Sequence, residues 1–194
     1  MKLVTFFILI FVLDVLAQAP EGVIKNYYIT PYGSSGGTGT YDNPFKWPED
    51  FSFKNISGTD VYLWFFEGVY DQSYDNDLLL IPPDIGFHSL TISNYENDNV
   101  EFNGKGIMNI GVSAERSSPT IAISDFLRIN GIHFKNFKQH AIKTRGRYQS
   151  SVYYPETMNT VIVENCVIDS IVGDTTSNSN SASIMIQVSN NVSA

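Results

Sequence analysis

The sequence predicts an all-β protein that folds as a right-handed parallel β-helix of few coils, and three observations support this prediction. Short apolar segments alternate with turn residues along the chain, and none of them keeps a 3.6-residue period for three turns. Two of these segments align with each other at an offset of 34 residues. Only 16% of the 194 residues are charged, against about 25% in an average soluble domain.

Residues 1–17 have the pattern of a secretory signal peptide. Lys2 provides the positive n-region, and the apolar run Leu3–Leu13 follows it. Small residues ending at Ala17 predict cleavage between Ala17 and Gln18. Because Asp14 interrupts the run well short of the roughly 20 apolar residues that span a bilayer, we expect no membrane span in the mature chain. The sequence therefore predicts a secreted, extracellular protein.

Residues 18–60 are expected to form an N-terminal strand, a Gly-rich loop and a cap. The β-prone segment Asn26–Thr30 precedes the loop 31–43, whose sequence PYGSSGGTGTYDN is rich in turn residues. Pro48 and the two acidic residues after it suit the first turn of a short helix. Residues 61–194 are expected to form the coils of the β-helix, with a long insertion near 138–158.

An internal repeat predicts the stacking of these coils. Phe126–Phe137 aligns with Thr160–Ile171 so that each apolar inward position of the first segment is also apolar in the second. Gly131 and Asn165 fall together where the alternation skips one residue, and both residue types tolerate the left-handed backbone that a corner needs. Stacked repeats of this kind bury a continuous core that one repeat cannot bury alone.

Two fainter copies extend the repeat. Leu90–Asn94 matches Leu127–Gly131 at an offset of 37, and Ile186–Asn190 matches Val161–Asn165 at an offset of 25. In this last register Asn191 would point inward, which conflicts with the use of its glycosylation sequon, and both interpretations stay open. The chain ends inside this segment without a polar cap, so we expect it to be a fragment of a longer protein.

Cysteine content, sequons and charge narrow the compartment and the partners. Cys166 is the only cysteine, and its place in an apolar strand favours a buried thiol. Glycosylation sequons at Asn55 and Asn191 agree with secretion. The net charge of −8 argues against nucleic acid as a partner. It also disfavours an anionic polysaccharide, unless calcium or a local basic patch intervenes.

The N-terminal region carries a family resemblance. The motifs that carry it are Tyr27–Gly33 (YYITPYG), Gly39-Thr40, Asn43-Pro44-Phe45, Asp60–Leu63 and Gly68–Tyr70. In this order they resemble the opening of the pectate-lyase-like superfamily of secreted β-helix proteins, and the resemblance covers about residues 26–188. It implies an elongated β-helix with three parallel sheets and a short N-terminal cap helix. Residues 46–54 depart from the family's Ala- and Ile-rich helix, so we expect an abbreviated cap.

The family resemblance does not fix the function. The superfamily includes polysaccharide lyases, glycoside hydrolases, epimerases, and adhesive or structural surface proteins. One dense basic cluster follows the first repeat segment, where Lys143, Arg145 and Arg147 alternate close to His140. β-Elimination on a uronic acid needs a cation beside the carboxylate and a Lys or Arg to remove the C5 proton. We therefore interpret Lys143, Arg145 and His140 as catalytic candidates, against the alternative of a solvated loop.

Tyrosines are concentrated in the predicted insertion. Because sugar rings stack on exposed aromatic faces, Tyr148, Tyr153 and Tyr154 are predicted to bind substrate together with Arg147. The alternative is that these tyrosines pack the insertion onto the coil.

An acidic segment suggests calcium as a cofactor. Asp71, Asp75 and Asp77 supply the hard oxygen ligands that this ion prefers, although an ordinary polar turn explains them as well.

Together these features predict a secreted protein that engages a polysaccharide or another cell-surface glycan, with or without lyase or hydrolase activity. A non-catalytic structural or adhesive surface module, or an incomplete fragment of a larger protein, is the alternative.

Overall fold

The computed structural model describes residues 23–73, 77–82, 87–115, 126–145, 147–149, 152–154, 160–172 and 184–186. The predicted signal peptide, Asp75 and Asn191 lie outside these residues. Within them the chain is nearly all β and forms a parallel β-solenoid of about three turns, so the predicted fold class is confirmed. No helix in this part of the chain has the length and apolarity to cross a membrane.

Three parallel sheets form the walls of the solenoid. The first sheet contains β1 (Ile24–Thr30), β2 (Phe45–Lys46), β3 (Asp60–Phe65), β6 (Ser89–Asn94), β9 (Phe126–Asn130) and β14 (Thr160–Glu164). The second contains β4 (Gly68–Tyr70), β7 (Val100–Asn103), β10 (Ile132–Lys135) and β15 (Val167–Asp169). The third contains β5 (Leu79–Ile81), β8 (Ile110–Glu115), β11 (His140–Arg145) and β16 (Ile184–Ile186). Each strand pairs with the corresponding strand of the coil before it.

The register between coils is the one that the internal repeat predicts. Leu127 lies opposite Val161, and Phe134 lies opposite Ile168, both at the predicted offset of 34. Leu90 lies opposite Leu127 at the predicted offset of 37. The repeat was recognisable because each of these positions is apolar and points into the core.

The corner between the first and second sheets also follows the prediction. Gly131 has φ of 69° and Asn165 has φ of 52°, so both adopt the left-handed backbone. The corner at Gly131 has no space for a side chain, because an added Cβ would lie 2.1 Å from Oδ1 of Asn94. In the next coil the side chain of Asn165 stabilises the corner, because its Nδ2 donates to Oδ1 of Asn130 at 2.8 Å.

The predicted fourth copy of the repeat, Ile186–Asn190 over Val161–Asn165, is wrong at Ile186, and residues 187–190 lie outside the described residues. Ile184–Ile186 belongs to the third sheet, where Ile186 lies opposite Thr144. Strands of all three sheets share the same two-residue alternation, so a short match cannot tell one sheet from another.

The predicted insertion near 138–158 begins later than expected. His140–Arg145 forms β11 and is part of the coil. The chain then forms an antiparallel hairpin of β12 (Arg147–Gln149) and β13 (Val152–Tyr154). Polar residues at positions 140, 143 and 144 hid the strand pattern of β11 in the sequence.

An aromatic column in the core joins the first and second sheets. Phe65, Phe102 and Phe134 follow one another with ring centroids 5.0 and 5.6 Å apart. Tyr70 lies beside them, 5.0 Å from Phe65, and donates its hydroxyl proton to the carbonyl oxygen of Phe66 at 2.8 Å. Burial raises the pKa of Tyr70. Burying each such side chain contributes roughly 1.5–3 kcal/mol, so the column is a major source of stability.

The N-terminal cap is short, as its aromatic sequence predicts. The backbone N–H of Asp50 donates to the carbonyl of Lys46 at 2.8 Å, which closes one turn, and a 3-10 helix follows at Phe53–Asn55. The Asp50 carboxylate accepts hydrogen bonds from the backbone N–H groups of Gly36 and Gly37 at 2.9 Å. These bonds lower the pKa of Asp50 and fasten the Gly-rich loop to the cap.

Gly131→Ala should destabilise the protein more than Gly106→Ala. Both glycines have positive φ, 69° and 72°, so either alanine costs about 1–2 kcal/mol for left-handed backbone. An added Cβ finds nothing within 4 Å at Gly106 but meets the Asn94 side chain at Gly131. Urea unfolding of the two variants measures the difference, and equal losses would contradict the corner geometry.

Asp50→Asn should lower the melting temperature at neutral pH and have less effect in acid. A lowered pKa means that the Asp50 carboxylate stabilises the fold above its ordinary pKa of 3.8, and this stabilisation is lost as the pH falls through the folded-state value. Melting curves from neutral pH to below 3.8 should therefore converge for the variant and the wild type. Asp42→Asn, on the same loop and exposed, is the matched control, and a constant gap for Asp50→Asn would contradict the assignment.

Candidate functional site

The predicted catalytic residues lie at the third sheet. His140 and Lys143 share β11 and are buried, with 3% and 8% of their surfaces exposed. Lys143 lies opposite Ser113 of the preceding coil, while Arg145 ends β11. A polymeric substrate needs an accessible surface, which the side chains of His140 and Lys143 do not offer in this conformation. Their catalytic role stays a prediction.

The predicted substrate-binding residues lie on the hairpin after β11. Backbone pairing places Tyr148 opposite Tyr153 and Arg147 opposite Tyr154. These four residues thus lie on one two-stranded sheet. Whether they bind a glycan stays a prediction.

The calcium prediction depends on residues in different surroundings. The carboxylate Oδ2 of Asp71 lies 2.9 Å from Nζ of Lys105 and forms an ion pair with it. Asp77 lines a cavity under the N-terminal cap, and Asp75 lies outside the described residues. Within the described part of the chain, no group of three or more His, Cys, Asp or Glu side chains is placed to hold a metal ion.

Two other predicted positions are placed clearly. Asn55 is exposed at the end of the 3-10 helix, where a glycan could be attached.

Cys166 packs against the core, and its Sγ donates to the carbonyl of Glu164 at 3.2 Å. Burial raises the pKa of the Cys166 thiol, which favours the predicted structural role over a reactive one.

The outer face of the first sheet carries a pair of stacked aromatic rings. Tyr62 and Trp64 point outward from β3, because the alternate residues Val61, Leu63 and Phe65 are buried in the core. The two rings lie 5.8 Å apart with an interplanar angle of 11°. Both side chains are partly exposed.

A groove of about 290 Å³ runs beside these rings. It is lined by Tyr62, Trp64, Thr91, Ser93, Asn94, Glu96, Asn97, Arg128 and Asn130. The parallel register arranges six of them in two rows across β3, β6 and β9. One row contains Tyr62, Thr91 and Arg128, and the other contains Trp64, Ser93 and Asn130. We call this surface the first-sheet groove; it follows the axis of the solenoid.

Hydrogen bonds fix the polar side chains of the first-sheet groove. Nδ2 of Asn130 donates to Oγ of Ser93 at 2.9 Å, and Nδ2 of Asn94 donates to the carbonyl of Asp98 at 2.9 Å. Nε of Arg128 donates to Oε1 of Glu164 at 2.7 Å. Because these groups sit on or beside strands, the groove is organised before any ligand arrives.

The aromatic pair is fastened at one end. Nε1 of Trp64 donates to Oδ1 of Asn26 at 2.9 Å, which sets the orientation of the indole. Tyr95 meets the Trp64 ring at 6.2 Å and packs against Tyr41 of the Gly-rich loop at 5.6 Å. The hydrogen bond between Tyr95 and Glu96 raises the pKa of Tyr95 to about 12.

Sequence reasoning missed the first-sheet groove. The segment Val61–Phe66 (VYLWFF) is apolar or aromatic at every position, which hides the alternation between its two faces. The signal was present, since a two-residue alternation that buries Val61, Leu63 and Phe65 must turn Tyr62 and Trp64 outward. What the sequence could not supply was the partner row, which depends on the register of β6 and β9.

The chain has limited similarity to known proteins. No family model matches it, and no solved structure matches it. A Bacillus subtilis (strain 168) protein described as "Uncharacterized protein YwoF" is 33% identical over 121 residues, which are 62% of this chain and 24% of the relative. The chain therefore spans about a quarter of the length of that curated relative, and the function has to be argued from the site.

Proposed function

We propose that this chain is a secreted glycan-binding protein of the pectate-lyase-like β-helix type and that it engages a polysaccharide along the first-sheet groove. The stacked pair of Tyr62 and Trp64, partly exposed beside a polar groove, is the observation that carries the proposal. Aromatic side chains offer a rigid apolar face with a polar edge, which suits the C–H face of a sugar ring.

The shape of the first-sheet groove supports a polymeric ligand. Its two rows cross three neighbouring strands, and adjacent strands lie about 4.8 Å apart. A glycan laid along the solenoid axis would therefore contact the aromatic pair first, pass over the buried side chains of Thr91 and Ser93, and then reach Arg128 and Asn130. The exposed guanidinium of Arg128 and the partly exposed amide of Asn130 are available for sugar hydroxyls along this path.

The family assignment in this proposal rests on the opening motifs of the sequence together with the three stacked parallel sheets. Secretion rests on the predicted signal peptide, and an acidic chain suits the proposed absence of a nucleic-acid partner. We propose binding alone, and lyase or hydrolase activity stays a prediction.

An activity assay separates an enzyme from an adhesive module. The protein is incubated with the polymer that it binds, and the products are assayed for unsaturated uronates and for new reducing ends.

Tyr62→Ala and Trp64→Ala should each weaken polysaccharide binding about fivefold to tenfold. The loss of one stacked ring is worth about 1–1.4 kcal/mol. Affinity electrophoresis of the full chain in gels that contain soluble polysaccharides measures the dissociation constants.

Tyr32→Ala is the matched control for these variants. Tyr32 is 63% exposed but does not line the first-sheet groove, so its removal should leave binding unchanged. Circular dichroism checks that each variant is folded. Binding that stays at the wild-type level in folded Tyr62→Ala and Trp64→Ala would contradict the proposed function.

A further inference from the structure

We infer that the first-sheet groove takes a neutral, hydroxyl-rich polysaccharide and discriminates against a uronate polymer. This inference rests on the proposed function and specifies its substrate class. The charges in and beside the groove carry the argument.

Arg128 is the cation among the residues that line the first-sheet groove. Its guanidinium donates through both Nε and Nη2 to the same oxygen, Oε1, of Glu164. Charge-assisted hydrogen bonds of this kind are stronger than neutral ones. The positive charge of Arg128 is therefore already matched by a carboxylate of the protein, and a uronate would have to displace that carboxylate or approach it.

Glu96 adds a negative charge to the wall of the first-sheet groove. It is exposed and lines the groove. With Arg128 and Glu164 it leaves one net negative charge around the groove. A like-charge ligand loses affinity at such a surface, and the net charge of −8 on the chain acts in the same direction.

The remaining polar groups of the first-sheet groove are neutral. Thr91, Ser93, Asn94, Asn97 and Asn130 line it. The hydroxyls of Thr91 and Ser93 are buried, so a ligand meets the more exposed amides of the three asparagines, which both donate and accept hydrogen bonds. Sugar hydroxyls have the same dual character. The groove is thus complementary to a glycan that has free hydroxyls and no carboxylates.

A neutral glycan would also bear on the chemistry. β-Elimination starts from a C5 proton that an adjacent carboxylate or carboxyl ester makes acidic, and a glycan that carries only hydroxyls has neither group. The inference therefore weighs against uronate elimination at the first-sheet groove, whatever Lys143 and Arg145 do elsewhere on the protein.

The experiment compares polymers that share a backbone and differ in charge. Affinity electrophoresis of the full chain at low ionic strength would use methyl-esterified against de-esterified polygalacturonate, and hydroxyethyl cellulose against carboxymethyl cellulose. We expect the neutral member of at least one pair to bind about tenfold more tightly than its anionic partner, which corresponds to about 1.4 kcal/mol. Low salt is used because screening hides the effect of charge.

Glu164→Gln tests the charge argument itself. This change removes the carboxylate that faces Arg128, so the affinity for the anionic polymer should rise several-fold. The difference in affinity between the neutral and the anionic polymer of a pair should become smaller. Glu101→Gln is the matched control, because it removes the same charge from the outer face of the second sheet, where Glu101 lies near Lys135. It should leave the difference within the pair unchanged.

The outcomes separate this inference from the proposed function. Tighter binding of the anionic member, with or without added calcium, overturns the inference. If Trp64→Ala still weakens that binding, the groove is the glycan site and the substrate class alone is wrong. If no polymer binds, or if Tyr62→Ala and Trp64→Ala bind every polymer as the wild type does, the proposed function fails and the inference fails with it.

Discussion

The parallel register between neighbouring coils is the constraint on which the rest of this structure depends. Leu63, Ile92, Ile129 and Val163 lie opposite one another on successive strands of the first sheet and form one inward row. Successive residues of a strand point to opposite faces, so a shift by one residue would exchange the core with the surface. The register that buries Leu63, Ile92 and Ile129, with Val163 packed against the core, therefore also decides which side chains form the outer face.

The first-sheet groove is a direct consequence of that register. Trp64 follows Leu63 in sequence, and the same pairing places it in line with Ser93 and Asn130. The cap and the Gly-rich loop support the first-sheet groove indirectly. Asp50 of the cap holds the loop through hydrogen bonds, and Tyr41 of the loop packs against Tyr95. Stability and site geometry thus depend on the same contacts, and the site is as rigid as the sheet that carries it.

The sequence was sufficient to predict the fold where the side chains of a short segment determine its strand pairing or its turn. The alignment of Phe126–Phe137 with Thr160–Ile171 predicted both the strand pairing and the left-handed corners at Gly131 and Asn165. It was insufficient where one pattern fits several places, because Ile186 lies in the third sheet and not in the first, where the repeat predicted it. The groove was missed for a different reason. Its rows combine residues that are 29 and 37 positions apart in the sequence, and no local pattern reveals which of them become neighbours.

The most direct test of this account is the location of a bound glycan on the folded chain. Nuclear magnetic resonance of the labelled protein, titrated with a short oligomer of a neutral polymer that it binds, would locate the contact. The account predicts that the indole N–H of Trp64 and the side-chain amide of Asn130 shift together, while the hairpin of β12 and β13 stays unchanged. Shifts that appear on that hairpin and on β11, with the first sheet unaffected, would contradict it.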